Sequence, residues 1–275
     1  MENLYQGLIS PFVDYLFMRR ALVACLAIVL SSAPLGVLLM QRRLSLVGEA
    51  LSHGTLPGIA LAYLVGGIWL PGLTLGGAIA GLLIAVLSHF IAQKTVLQED
   101  ASFSGLYMIF LALGVLILSL KEGSIRLVHL LFGNVLAVDT SSLLFMAVVS
   151  SLTLLVLVLL YRPLIYECFD PCFMRSLGVS SAVYNAVFLT LVVINLVAAY
   201  QALGTLMALG IMMIPAVTAR LLSQRLTNIF LISIGLSLLA SYCGLILSYY
   251  FNWPSGPTII LSAGFFYGLA ILKTL

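Results

Sequence analysis

The chain has 275 residues, 63% of them hydrophobic and only 8% charged, with a formal net charge of +3. A soluble domain carries roughly 45–50% apolar and about 25% charged residues, so this composition excludes a sizeable ectodomain or cytosolic catalytic domain and makes lipid the expected solvent of a single transmembrane domain over residues 1–275. The charge is also too small and too dispersed for a nucleic-acid partner, and the Lys and Arg residues sit singly or in pairs between apolar runs, where they encode topology.

A bilayer core of about 30 Å needs roughly 20 apolar residues per helix. At that ruler the sequence predicts an all-α polytopic protein with about nine spans, near 20–41, 46–66, 70–92, 101–120, 141–161, 183–202, 204–222, 228–250 and 257–273. Eight full spans is the alternative, because Glu49, His53 and Pro57 interrupt the second run and Gly204, Gly210 and Pro215 the seventh. Arg19-Arg20 ahead of the first run resembles a signal-peptide flank. That run ends in Arg42-Arg43 and leads into more membrane segments, so an uncleaved first span fits better.

The second run holds the pair most able to carry chemistry. An ionisable residue inside a span costs several kcal/mol unless paired or solvated, and is a functional hypothesis by default. Glu49 and His53 stand at i, i+4, on one face of a helix with Cβ atoms roughly 6 Å apart. They can share one small cation; they can equally form a hydrogen-bonded pair that locks helix packing. Pro57 has no N–H to give the carbonyl of His53, which frees one oxygen near the pair. Ser45 and Ser52 place further oxygens on nearby faces. Two side chains fall short of the four ligands of a tight zinc site, although a conduit must also let its ion leave.

His89, near the end of the third run, and His129 are more often packing residues than ligands when single. The segment Ser124 to Val138, with Arg126, His129 and Asn134, is too short and polar to cross, and is expected to be a re-entrant or interfacial helix. The connection from Tyr161 to Ser181 is the longest polar one, and its middle, Phe169 to Leu177, is expected to form a short amphipathic helix that a soluble partner can grip, or else a plain loop. Cys168 and Cys172 lie there four residues apart, but no His or Cys pair completes a metal set, and ordinary loop residues is the better reading. Cys25 and Cys243 fall inside spans, so no disulfide framework is expected. Asn195 and Thr218 are expected to hydrogen-bond between helices and Arg220 to snorkel, while the small residues of Leu203 to Gly210 permit close helix approach.

Alternate connections divide the basic residues unevenly. Arg42, Arg43, Lys94, Arg162, Arg175, Arg220, Arg225 and Lys273 fall on one side, and Arg19, Arg20, Lys121 and Arg126 on the other. The richer side is expected to be cytoplasmic, which puts the C-terminus inside and, with nine spans, the N-terminus outside. No Walker-type phosphate loop, Gly-x-Ser-x-Gly elbow or His-Glu-x-x-His pattern occurs, so the chain is not expected to be an enzyme, and energy must come from elsewhere.

Several segments together resemble the ABC-importer permeases for zinc, manganese and iron. Arg42-Arg43-Leu-Ser-Leu-Val-Gly-Glu49-Ala-Leu-Ser-His53 is similar to the family's basic pair, Gly-Asp/Glu and Ala-Leu-Ser/Ala-His ending, with Glu49 in place of the more frequent Asp. Glu99-Asp100-Ala resembles the acidic start of the fourth span, and Leu131-Phe132-Gly133-Asn134-Val-Leu-Ala-Val138 the Leu-Phe-Gly-Asn/Asp-x-Leu segment. Phe169-Asp170-Pro-Cys-Phe173-Met174-Arg175-Ser-Leu177-Gly178 resembles the family's cytoplasmic loop, with Met174 for the usual Ala. Ile214-Pro215-Ala-Val-Thr-Ala-Arg220 and Pro254-Ser-Gly-Pro-Thr258 are similar to two further signatures.

The resemblance implies a homodimeric permease in the cell membrane of a prokaryote, with the metal path on the dimer axis. It implies two cytosolic ATP-binding subunits, which hold the ATP, and an extracytoplasmic metal-binding protein that delivers the ion. It implies that Glu49 and His53 contact the metal, and that the loop from about 166 to 182, through Phe169, Asp170, Phe173, Arg175, Leu177 and Gly178, docks into the ATPase. Two copies would supply two carboxylates and two imidazoles, a set zinc accepts, whereas manganese prefers more oxygen. Zinc is therefore the first expectation, with manganese or iron as alternatives and no permanently bound cofactor. A permease for an iron chelate or vitamin would need no ionisable pair, and a secondary transporter should show matching inverted halves, which residues 1–140 and 141–275 do not.

Overall fold

The computed structural model describes residues 10–44, 47–67, 69–96, 98–119, 138–169, 174, 176 and 181–274. Twelve helices occur among them and no strands. Lipid offers no partner to a backbone N–H or C=O, so an apolar chain must close its hydrogen bonds within each segment. In order these are α1 (Ser10–Asp14), α2 (Leu16–Gln41), α3 (Val47–Gly54), α4 (Leu56–Gly66), α5 (Leu70–Lys94), α6 (Glu99–Ser119), α7 (Thr140–Leu159), α8 (Tyr161–Phe169), α9 (Ser181–Leu203), α10 (Thr205–Leu222), α11 (Leu226–Phe251) and α12 (Ser255–Thr274).

Eight of these are long and apolar enough to cross a membrane, namely α2, α5, α6, α7 and α9 to α12. The expected second span, 46–66, is instead two helices, α3 and α4, broken at Thr55. The cause lies two residues further on, where Pro57 sits in the first turn of α4 and leaves the carbonyl of His53 without its helical donor. At 1.5 Å per residue, α3 and α4 together measure about 30 Å, the thickness of a bilayer core. The seventh expected span is intact: Pro215 lies inside α10, and Gly204 adopts φ 85° at the junction between α9 and α10. That backbone state favours glycine.

The connection expected from Tyr161 to Ser181 is shorter than its sequence suggests, because its first nine residues form α8. Pro163 stands in the first turn of α8, where a missing N–H costs nothing. The expected amphipathic helix Phe169 to Leu177 lies mostly outside the described residues, as does all of the expected re-entrant segment except Val138. Of the loop, Met174 is buried and Ser176 exposed.

The chain forms two compact units. The first comprises Met1–Val37, Leu130–Leu152 and Ala199–Leu275. Here helices approach through small residues: a Cβ on Gly36 would meet the carbonyl of Met212, one on Gly210 the side chain of Ile260, and one on Gly244 the backbone of Ile259. Val37, Ala216, Ala219 and Ile229 make a core cluster, and the Ser150 hydroxyl reaches across to the carbonyl of Ala27. Without a hydrophobic force between helices in lipid, such close packing and interhelical hydrogen bonds hold the bundle.

The second unit comprises Leu38–His129 and Thr153–Ala198. Its tightest contact joins α4 and α5, where Gly58 and Gly76 abut backbone to backbone and are flanked by Ala62 and Ala80. Each pair is a small-xxx-small stripe, and together they form one mutual interface. Gly81 on α5 admits the side chains of Val193 from α9 and Thr55 from the break. Gly114 on α6 lies under that break: a Cβ there would come 2.9 Å from Leu56 Cβ and 3.0 Å from Pro57 N. The interruption between α3 and α4 is thus held by two neighbouring helices.

Candidate functional site

The end of α2 determines where α3 starts. The Arg43 N–H donates to the Met40 carbonyl at 3.1 Å and the Leu44 N–H to the Leu39 carbonyl at 3.0 Å, with Arg43 at φ 60°. This is the paired 5→2 and 6→1 pattern of a Schellman cap, in a left-handed position that usually takes glycine. The chain therefore turns sharply after Arg42, and α3 opens at Val47.

On α3 the residues Val47, Gly48, Ala50, Leu51 and Ser52 are buried, whereas Glu49 is exposed and His53 half-buried. Glu49 occupies the first turn, where the positive end of the helix dipole favours a carboxylate. His53 follows one turn later, its ring 6.5 Å from that of Tyr107 on α6. The Ser52 hydroxyl donates back to the Gly48 carbonyl at 2.8 Å, and the Thr55 hydroxyl to the Ser52 carbonyl at 3.0 Å, so the oxygen expected from Ser52 is engaged inside the helix. Ser45 lies outside the described residues. Among the described residues no group of three or more His, Cys, Asp or Glu converges. One copy of the chain presents an exposed Glu49 and a half-buried His53, and a metal ion held by both would need further ligands from water or another chain.

A second polar constellation lies in the same unit. The Arg42 Nη1 donates to Asn185 Oδ1 at 2.6 Å, Nε donates to Cys168 Sγ at 3.2 Å, and the guanidinium carbon stands 4.3 Å from the centre of the Phe188 ring. A guanidinium only donates, so Asn185 must turn its oxygen to Arg42 and its NH2 to His89 Nδ1, at 3.1 Å. On the other side of the ring, His89 Nε2 lies 2.8 Å from the amide nitrogen of Gln93. The Cys168 thiol donates in turn to the Leu38 carbonyl at 3.7 Å. Burial pushes this thiol up from its ordinary value, against the pull of Arg42, and so preserves the S–H that the contact requires. Beside it, the Ser181 hydroxyl donates to the buried carboxylate of Glu167 at 2.7 Å.

The structure thus brings Glu49 and His53 onto one short helix and places His89 elsewhere, against Asn185 and Gln93. Phe169 ends α8 and is exposed. Asp170, Phe173, Arg175, Leu177 and Gly178, together with His129 and Cys172, lie outside the described residues. Cys168 is a helix residue packed between Arg42 and Leu38, not a loop residue. Thr218, expected to bond another helix, donates instead to the Ile214 carbonyl of its own helix at 2.7 Å, the usual resort of a threonine inside a helix. Sequence reasoning missed the role of Arg42 because a basic pair at the end of a span already has a topological explanation. An Asn near the start of a span was the only available signal for its partner.

A family model described as the ABC 3 transport family matches residues 14–274. The manganese import system permease protein ScaB of Streptococcus parasanguinis is 33% identical over 264 residues, covering 94% of this chain and 93% of that protein. A protein of Haemophilus influenzae described as a probable iron transport system membrane protein is 29% identical over 268 residues, covering 98% and 97%. Among solved structures, PsaBC from Streptococcus pneumoniae in complex with Fab superimposes with a TM-score of 0.83 at 27% identity, covering 98% of this chain and 95% of the matched one. With its all-helical multi-span architecture and a match over nearly its whole length, the chain belongs to the ABC 3 transport family, as a membrane permease.

Proposed function

We propose that this chain is the permease subunit of an ABC importer that carries a divalent transition metal ion into the cell, and that Glu49 and His53 contact the ion on its way. The observation that carries the reading is an exposed carboxylate one turn before a half-buried imidazole, on a helix interrupted at Thr55. A carboxylate so placed needs water, an ion or another chain to cover it. A second copy of the permease would bring two Glu and two His together, enough for a labile four-ligand shell.

Manganese is the first cargo, supported by the names of the ScaB relatives and of the manganese transport protein MntC of Listeria monocytogenes, 28% identical over 264 residues. Zinc, which the sequence alone ranks first, is the second reading, supported by the equal share of nitrogen and oxygen donors. ATP is hydrolysed in a cytosolic partner that docks on the segment around Phe169, Asp170, Phe173, Arg175, Leu177 and Gly178. An extracytoplasmic metal-binding protein delivers the ion on the opposite side. The basic end of the bundle, with Arg42, Lys94 and Arg162, faces the cytoplasm.

The test is uptake of manganese and of zinc by the assembled complex in vesicles, scored against ATP hydrolysis. The intact complex should import manganese in preference to zinc. Glu49→Gln and His53→Ala should each reduce uptake at least tenfold with the complex still assembled. Undiminished uptake in both variants would sink the site, and zinc outcompeting manganese at equal free concentration would reverse the order of cargo.

A further inference from the structure

Arg42 joins two parts of the second unit that its covalent chain keeps far apart. Through Nη1 it holds Asn185, 143 positions away, and through Nε it holds Cys168, 126 positions away. These two residues flank the connection between α8 and α9: Cys168 is next to the last residue of α8, and Asn185 lies in the second turn of α9. The Ser181 to Glu167 hydrogen bond closes the base of the same connection. Arg42 itself stands at the start of the Schellman turn, and the helix bearing Glu49 and His53 begins five positions later. A guanidinium suits such a junction because its planar fork can serve two acceptors in fixed directions and stack on an aromatic face at once. All three interactions are present, on Asn185, Cys168 and Phe188.

We propose that Arg42 is a positioning residue that links the facing ends of α8 and α9 to the start of α3, so that displacement of those helix ends during ATP turnover shifts Glu49 and His53 relative to the cargo. The role rests on the proposed reading of the chain as an ATP-driven metal permease. It adds to that reading the path by which a docking loop reaches the metal pair. Three properties make the path direct. The Schellman turn is closed by two backbone hydrogen bonds, and the Val47 N–H donates to the Leu44 carbonyl at 3.2 Å, which ties the turn to the first residue of α3. Asn185 has its orientation imposed by Arg42 and is held from the other side by His89 on α5. The Cys168 thiol touches the carbonyl of Leu38, one turn before Arg42, which adds a second point of attachment to the same helix end.

The test uses the whole complex, permease with its ATPase, in vesicles supplied with manganese ions. It compares Arg42→Gln, Arg42→Lys and the double variant Arg42→Lys/Asn185→Asp. Arg42→Gln should assemble and hydrolyse ATP within about twofold of the parent, while manganese imported per ATP falls at least tenfold. Lysine alone, a point charge that cannot serve both Cys168 and Asn185, should recover little. Adding Asn185→Asp gives that lysine a carboxylate to pair with and should restore coupling to within about threefold of the parent, which a merely structural role for Arg42 would not predict. An unchanged import-to-ATP ratio in Arg42→Gln overturns the role while leaving the permease reading intact. A parent complex that imports no metal overturns the permease reading and this role with it. Should Arg42→Gln fail to assemble, the two lysine variants decide, and equal ratios in both overturn the role.

Discussion

Gly58 and Gly76 meet backbone to backbone, each occupying the space where the other would carry a Cβ. This contact fixes α4 against α5 and, through the break at Thr55, sets the end of the helix that carries His53. Replacing either glycine with valine forces the helices apart. We expect a loss of about 1–3 kcal/mol, read as a lower unfolding temperature of the purified permease in detergent, with metal uptake reduced in parallel. Gly105 and Gly235, around which a Cβ meets open space, are the controls and should tolerate alanine without loss.

The identity of residue 49 should matter by charge before length. Glu49→Asp keeps the carboxylate and withdraws it by one methylene, so uptake should fall less than threefold, whereas Glu49→Gln should fall at least tenfold, as the proposed contact of its charge with the ion requires. Equal effects of the two substitutions would argue for a purely steric role. Initial uptake rates over a range of manganese concentration separate the two outcomes.

Glu167 is buried, and one of its oxygens accepts from Ser181. Ser181→Ala strips that donor from a carboxylate already short of partners among the described residues. The expected penalty is about 1–3 kcal/mol, measured as a shift of the thermal midpoint. The double variant Ser181→Ala/Glu167→Leu should regain part of it, because an apolar pair leaves no unpaired charge behind.

Asp139 precedes α7 and accepts from the Ser142 backbone N–H at 3.0 Å and from the Ser141 hydroxyl. These bonds, with the Ser141 hydroxyl first, hold its carboxyl down at about 2 from 3.8. A depressed folded value means that the ionised cap stabilises α7 at any pH above about 4 and loses that contribution as pH falls through about 2. Asp139→Ala should therefore lower stability by about 1 kcal/mol at neutral pH. The gap to the parent should close on acidification, as followed by thermal melts from pH 6 to pH 2.

The helices were largely legible in the sequence. Predicted spans 183–202 and 204–222 agree with α9 and α10 to within about two residues, because an apolar run in lipid has no alternative to helix. Even the interruption of 46–66 was visible in Pro57, and the Glu49 and His53 pair follows from i, i+4 spacing on one helix. The connection after α7 is shorter than the sequence suggests, since Tyr161 to Phe169 carries polar residues that look like loop but continue as α8.

What the sequence by itself determined is local: where the chain is helical, where it breaks, and that a carboxylate and an imidazole share a helix face, all consequences of periodicities of a few residues. The tertiary structure alone decided which distant residues meet. Arg42 finds Asn185, Cys168 and Phe188, and Gly58 finds Gly76, across separations at which no pattern in the chain marks a partner. Helix formation is governed by hydrogen bonds within a segment, whereas helix pairing in lipid depends on shape and on the mutual satisfaction of polar groups from different segments. A sequence read one segment at a time can place Glu49 and His53 on one helix, but not the side chains that gather around Arg42.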